Sequence, residues 1–250
     1  MAKPLVVIDA GHGGKDPGAV AHGLAEKDVV LRLARMVRNE LAYYDVDVRM
    51  TRDADVFVEL SDRAAFANRI GAALFVSLHC NAGGGQGFES YIHPNAKAAT
   101  ATIQNVIHGE VMAYLRGYGI TDRGRKRANL AVCRETRMPA VLLENLFIDH
   151  PRENVLLRDE AFLRGLAASI ASGIAKALGL QRKAAPPAAP KVTEAASQKP
   201  VEVQKCTIVF GDRKLEGIIY EDRSYAPVRA LAEALGLQVA WDAKTKTVIL

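Results

Sequence analysis

Between Leu5 and Leu178, short apolar runs alternate with longer stretches of helical periodicity, and few architectures satisfy that alternation. Leu5–Ile8, Val46–Met50, Leu74–His79, the run "GFESYI" and Val141–Leu143 read as strands. Glu26–Leu41, Leu60–Ile70, Ala98–Leu115 and Glu160–Leu178 read as helices. Val29, Val30, Leu33, Val37 and Leu41 share one face of the first, Ser61 is placed to cap the second, and Gly179 to stop the last. The expectation is an α/β fold: a twisted, mostly parallel sheet with helices on both faces. Sites in such sheets gather at the carboxyl ends of the strands.

The alternation stops at Leu180. The stretch "QRKAAPPAAPKVTEAASQKP" has four prolines, many alanines and almost no large apolar residue, which predicts an extended linker over 181–203. Residues 204–250 then read as strand, turn, strand, helix and hairpin, a small α+β domain with Pro227 near the start of its helix and Gly236 at its end. Residues 181–250, linker and tail together, have eleven lysines and arginines against eight acidic residues, more than half of the net charge of +5 in just over a quarter of the chain. Such an excess suits a polyanionic surface, although a solvated face explains it as well.

Of the 250 residues, 49% are hydrophobic and 24% charged, an ordinary globular balance with no run long enough for a membrane span. Met1-Ala2-Lys3-Pro4 leads straight into the first strand without an apolar leader, which reads as synthesis for the cytoplasm. Cys80, Cys133 and Cys206 are odd in number and widely spaced, so reduced thiols are expected. The basic segment "DRGRKRANL" lacks aromatic interleaving and any nucleic-acid motif, so no nucleic acid is expected as a partner.

The chemistry concentrates where strands end. "VVIDAGHGGKDPGAV" runs from a β-branched strand into His12 among Gly11, Gly13 and Gly14. A phosphate loop is excluded, because Gly14-Lys15 is followed by Asp16 where a serine or threonine is needed. A dinucleotide fingerprint fails too, with Asp16 at its third glycine position. That leaves the histidine. His79 closes a second strand, with Phe75 and Ser77 on its face and Cys80 turned away. Glu26 opens a helix after a glycine-rich loop, and two imidazoles with one carboxylate make the donor set of a catalytic zinc site. Glu144 follows Val141-Leu142-Leu143 and is costly to bury without a purpose, which makes it the candidate proton carrier. Each residue taken alone has a plainer role: His12 in a turn, Glu26 as a helix-terminal charge, and Glu144 paired with Arg134 or Arg137. His22, His93, His108 and His150 receive none.

These segments resemble the zinc-dependent N-acetylmuramoyl-L-alanine amidases of bacterial wall hydrolases and phage endolysins. The likeness rests on "VVIDAGHGGKDPGA", "LAEKDVVLRLA", "VRMTRDADVFVELSDRAAFANRIGAALFVSLHCNA", "GFESYI" and "RMPAVLLENLFIDHPREN", in the family's order over residues 5–180. The resemblance implies one catalytic zinc ion on His12, Glu26 and His79, with Glu144 as catalytic residue, and a catalytic domain over 1–180. It implies hydrolysis of the amide between N-acetylmuramic acid and L-alanine in peptidoglycan, lysing the cell wall. The family commonly has Glu-x-Gly-Phe where this chain has Glu144-Asn145-Leu146-Phe147, which bears on the loop shape and not on the carboxylate. The tail resembles the small stalk-like domain at the N-terminus of copper amine oxidases. With no histidine there, copper is not implied, and a wall-attachment module for anionic polymers is the expectation. An endolysin waiting in the host cytoplasm is the leading reading. A host or spore autolysin, a catalytically inactive wall-binding protein and a peptidase of the stem are the alternatives.

Overall fold

The computed structural model describes residues 3–183 and, in the tail, the backbone of five strands. The chain divides into two units, 1–188 and 189–250.

The first unit is built on six strands: β1 (Leu5–Ala10), β4 (Asp47–Met50), β5 (Leu74–Asn81), β6 (Phe88–Ile92), β7 (Asp122–Arg127) and β8 (Ala140–Phe147). Their order across the sheet is β4-β1-β5-β8-β6-β7. The first four run parallel, while β6 runs antiparallel to β8 and parallel to β7. A short hairpin, β2 (Val20–Ala21) with β3 (Leu24–Ala25), precedes α1 (Glu26–Leu41). The other helices are α2 (Leu60–Arg69), α3 (Ala98–Leu115), α4 (Ala131–Arg134), α5 (Pro151–Arg158) and α6 (Glu160–Ala177).

Period-two alternation gives the sheet two unequal faces. On one, Val6, Ile8, Leu74, Val76, Leu78, Val141 and Leu143 join the buried stripes of α1, α3 and α6 in a single large core. Val29, Val30, Leu33, Val37 and Leu41 of α1 are fully buried, and each contributes about 1.5–3 kcal/mol of burial free energy. On the other face, Val7, Phe75, Ala140 and Leu142 meet only Ala67 of α2, Val132 and Cys133 of α4, and a few neighbours. Toward the carboxyl ends of the strands this second face turns polar, with Asp9, Ser77, His79 and Glu144.

Topology places the site. From β1 the chain crosses through α1 to β4, and from β4 through α2 to β5 on the other side of β1. The chain leaving β1 turns through α1 toward β4 on one side, whereas the chain leaving β5 turns the other way, toward β6 beyond β8, so the two loops diverge and leave a crevice between the carboxyl ends of β1 and β5, where ligands of open α/β sheets bind.

The four helices expected before Leu180 are present, α1 and α3 with the expected bounds. Ser61 is not a cap. Leu60 is already helical and extended Glu59 stands at the N-cap without a side-chain bond, which puts Ser61 inside the first turn. Strand β7 and helix α5 went unrecognised: β7 contains no apolar residue, and α5 is short and only weakly amphipathic.

In the tail, β9 (Gln204–Phe210), β10 (Arg213–Tyr220) and β11 (Arg223–Tyr225) form an antiparallel sheet, and β12 (Ala240–Asp242) pairs with β13 (Thr247–Ile249). The expected linker from residue 184 on and the expected helix between Pro227 and Gly236 lie outside the described residues. Among the described residues no helix is long and apolar enough to cross a membrane.

Candidate metal centre and active site

His12 stands on the loop leaving β1 with a positive φ of 59°. Two buried arginines hold it there. Arg52 donates to the carbonyls of Ala10 (2.9 Å), Gly11 (2.7 Å), Lys27 (2.9 Å) and Ala54 (3.1 Å). Arg63 donates to those of Ala10 (2.6 Å), His12 (2.7 Å) and Val58 (3.0 Å), and to Asp9 Oδ1 (2.8 Å). Three successive carbonyls around the histidine are thus bound by guanidinium groups. Burial pushes the Asp9 carboxyl up, but the Arg63 charge and the donors Ser77, Thr51 and Arg63 outweigh it and hold Asp9 ionised. Arg63→Met leaves that carboxylate buried without its cation and is expected to cost about 3–5 kcal/mol. Urea unfolding measures it; a loss below about 1 kcal/mol would show the pair to be dispensable.

The three sequence-derived ligand candidates converge. One potential ligand atom from each of His12, Glu26 and His79 lies within 4.8 Å of the others. His12 Nε2 and His79 Nδ1 each lie 3.0 Å from Glu26 Oε1, and the two rings meet edge to face at 4.9 Å. Glu26 is otherwise fixed by amides: Cys80 N–H donates to its Oε1 at 2.9 Å and Ala19 N–H to its Oε2 at 3.0 Å. Burial would raise its pKa, but the hydrogen bonds and charges of both histidines hold it well below the carboxylate range. Burial likewise lowers the pKa of His12, and Glu26 and Asp16 together outweigh it and raise it. A buried, ionised carboxylate between two imidazoles is the donor chemistry of zinc, so the residues present fit that ion.

Asp16, absent from the sequence-derived set, accepts from His12 Nδ1 at 2.8 Å and orients the ring from behind, as carboxylates commonly do for metal-binding histidines. The signal for it was four residues away. The glycines near His12 let the candidate ligands close in. A Cβ on Gly11 would meet three atoms of the His79 ring at 2.3, 2.6 and 2.8 Å, and one on Gly18 would meet Glu26 Oε2 and His12 Cδ2 at 2.7 Å.

Glu144 lies in register with His79 on the neighbouring strand, on the same polar face. Its Oε2 is buried and makes no hydrogen bond. Arg134 instead pairs with Glu135 and Asn129, so the plain reading of Glu144 as its partner fails. Burial, reinforced by the charges of Glu26 and Glu89 and opposed by those of His79 and His12, pushes the Glu144 carboxyl up to about 7. Directly after it the pairing slips, so that His79 faces Glu144 but Asn81 faces Phe147. Leu146 takes the left-handed conformation (φ 69°) at the slip, and Asn145 Nδ2 ties it down by donating to the carbonyls of His79 and Leu143, both at 3.1 Å. The backbone shape a glycine favours is therefore kept without the glycine.

A cavity of about 270 Å³ opens beside His12 and His79, lined also by Asp9, Phe57, Leu60 and Arg63. Cys80 is buried in the main core, facing away from the ligands as expected. His108 is buried between Ser90 Oγ and Asp122 Oδ1, 2.9 Å from each, and His150 caps α5.

Three comparisons bear on this geometry. The chain is 48% identical over 199 residues to an endolysin of Bacillus phage SPP1, covering 78% of this chain and 73% of that one. It is 44% identical over 182 residues to an N-acetylmuramoyl-L-alanine amidase of Bacillus licheniformis, covering 72% and 71%. The amidase from Clostridium difficile 630 superposes with a TM-score of 0.69 at 31% identity, covering 72% and 98%. The catalytic domain of an amidase from Bacillus (Paenibacillus) polymyxa var. colistinus does so at 0.67 and 38% identity, covering 71% and 99%. Residues 208–250 match the copper amine oxidase N-terminal domain. Residues 6–176 match N-acetylmuramoyl-L-alanine amidase throughout, and with this sheet, this ligand trio and these relatives the chain belongs to that family.

Proposed function

We propose that this protein hydrolyses the amide between the lactyl group of N-acetylmuramic acid and the L-alanine of the peptidoglycan stem, with His12, Glu26 and His79 holding one zinc ion and Glu144 carrying the proton. The observation that carries the reading is the row across the sheet: the candidate ligand trio at the ends of β1 and β5 and the start of α1, and next to it half-buried Glu144, whose buried Oε2 is unpaired. A zinc ion held there supplies a Lewis acid for the scissile carbonyl. Glu144 takes a proton from the attacking water as its oxygen bonds to the carbonyl carbon. It delivers that proton to the nitrogen as the C–N bond breaks, leaving a carboxyl group on the sugar and a free amino terminus on the peptide. Its dry surroundings make it a stronger base than a solvated glutamate, and Asp16 holds His12 in place throughout.

Residues 1–180 form the catalytic part, 181–203 the linker and 204–250 a module that attaches to anionic wall polymers. Similarity to both a phage endolysin and bacterial amidases supports action on the bacterial wall, with lysis from within as the endolysin-like role. The test is digestion of purified peptidoglycan with mass spectrometry of the products. Released stem peptides beginning at L-alanine, abolished by a chelator and restored by one equivalent of zinc, are expected. Cleavage inside the stem would replace this reading with a peptidase. Wall binding without cleavage at any zinc concentration would leave an inactive binding protein.

A further inference from the structure

Glu89 of β6 sits opposite Glu144 in the antiparallel pairing and is almost wholly buried. Its carboxylate accepts from four donors. Oε1 takes Asn81 Nδ2 and the Tyr91 hydroxyl (3.0 Å), and Oε2 takes Arg123 Nε (2.8 Å) and Lys126 Nζ. Residues 123 and 126 would point to opposite faces of a regular strand. They share a face here because the β6–β7 register slips between Phe88 and Ser90, where Gly124 adopts a φ of 87°. Bulges of this kind re-aim side chains next to active sites. The arrangement is also braced. Asp122 accepts from the buried His108 and from the Gly124 amide (2.9 and 2.8 Å), and the Arg123 guanidinium lies over the Phe147 ring at 4.8 Å.

Charge on an edge strand commonly serves to block pairing with another sheet. That purpose is met by a single charge or by the bulge alone, and it does not call for two cations turned onto one buried anion. One carboxylate neutralises only one of the two, and both side chains remain about one-third exposed, at 33% and 37%. A fixed positive charge with unused N–H donors therefore stands at Glu89, on the sheet face that carries Glu144. It lies on the far side of Glu144 from the ligand trio, two strand spacings or roughly 10 Å from β8. Glu144 must reach the leaving nitrogen, so the peptide runs out on that side. At about 3.3–3.6 Å per residue, and with the reach of both side chains, the second residue of the stem comes opposite the pair.

We propose that Arg123 and Lys126, held by Glu89, form a carboxylate-recognition subsite for the stem peptide one residue beyond L-alanine. The proposal rests on the amidase reading for the direction of the peptide, and its test separates the two. The zinc-loaded full-length protein is titrated calorimetrically with L-alanyl-D-glutamate and with the same dipeptide carrying a carboxamide in place of the glutamate α-carboxylate. Lys126→Met and Arg123→Gln are titrated alongside, with thermal unfolding as a check that each single change leaves the fold intact. The parent is expected to bind the acid roughly tenfold or more tighter than the amide, and each variant to lose most of that preference while binding the amide as before. Equal binding of acid and amide by the parent, or equal weakening of both in the variants, overturns the proposal. Peptidoglycan digestion by the same samples is read separately. Cleavage without the preference leaves the amidase and removes the subsite, whereas the preference without cleavage leaves the subsite and removes the amidase.

Discussion

Glu144→Gln is expected to abolish hydrolysis while making the metal-free protein more stable at alkaline pH. The amide cannot take the proton from water, and general acid–base catalysis of this kind contributes about 10²–10⁴-fold in rate. Stability moves the other way for a different reason. The folded protein keeps the Glu144 proton to about pH 7, whereas an unfolded chain releases it near the ordinary value of 4.5. Between those values the folded state binds more protons, so stability falls as pH rises through the window and the full deficit remains above it. Replacing the carboxylate removes a deficit of up to about 3 kcal/mol. Denaturant unfolding of the metal-free parent and variant at pH 5 and pH 8 measures this. The two should nearly coincide at pH 5 and separate at pH 8, with the variant the more stable. A variant that still digests wall would show that Glu144 is not the proton carrier, and one less stable than the parent at pH 8 would show that it is not a strained buried charge.

Gly11→Ala should damage the metal centre without removing any ligand. The new methyl would sit 2.3–2.8 Å from three His79 ring atoms, and that ring is fixed between Glu26 and His12. His79 must swing away or the loop must lift from Arg52, and either breaks the trio. Disturbing the groups that position metal ligands lowers affinity by about 10–100-fold. Competitive zinc titration against a chromophoric chelator reads the loss directly, and hydrolysis at limiting zinc should fall with it. Unchanged zinc affinity would mean that His79 is not a ligand, since no tolerable geometry accommodates both the methyl and the ring as placed.

Most of the fold was legible because its core strands and helices carry periodic apolar residues: Val29, Val30, Leu33, Val37 and Leu41 announce α1, and Val141-Leu142-Leu143 announces β8. The candidate ligands His12, Glu26 and His79 were legible as well, since each stands where a periodic element begins or ends. Edge strand β7, all polar, offers no such signal. Residues that act through distant partners were also invisible. Arg63 meets Asp9 across 54 positions, and Glu89 meets Arg123 across 34. Nothing local distinguishes Arg63 from Arg69 on the same helix. Leu146 teaches the converse. A missing glycine suggested a different loop, yet tertiary packing holds a fully buried leucine in the left-handed region. Such strain costs about 1–2 kcal/mol, less than the 2–5 kcal/mol typically lost when a buried leucine is truncated.

The divergence of the loops at β1 and β5 also bears on how the enzyme comes into being. His12 and His79 are 67 positions apart and belong to successive crossover units packed on opposite faces. No contiguous fragment ending before β5 contains the ligand set, so ion affinity is a property of completed pairing between two strands. Zinc that binds only this form would shift the unfolding equilibrium by about 4 kcal/mol at a thousandfold excess over Kd, and both layers would share the gain. If zinc binds as proposed, metal occupancy would report that the sheet has closed, and a chain caught half-folded would carry no hydrolytic centre.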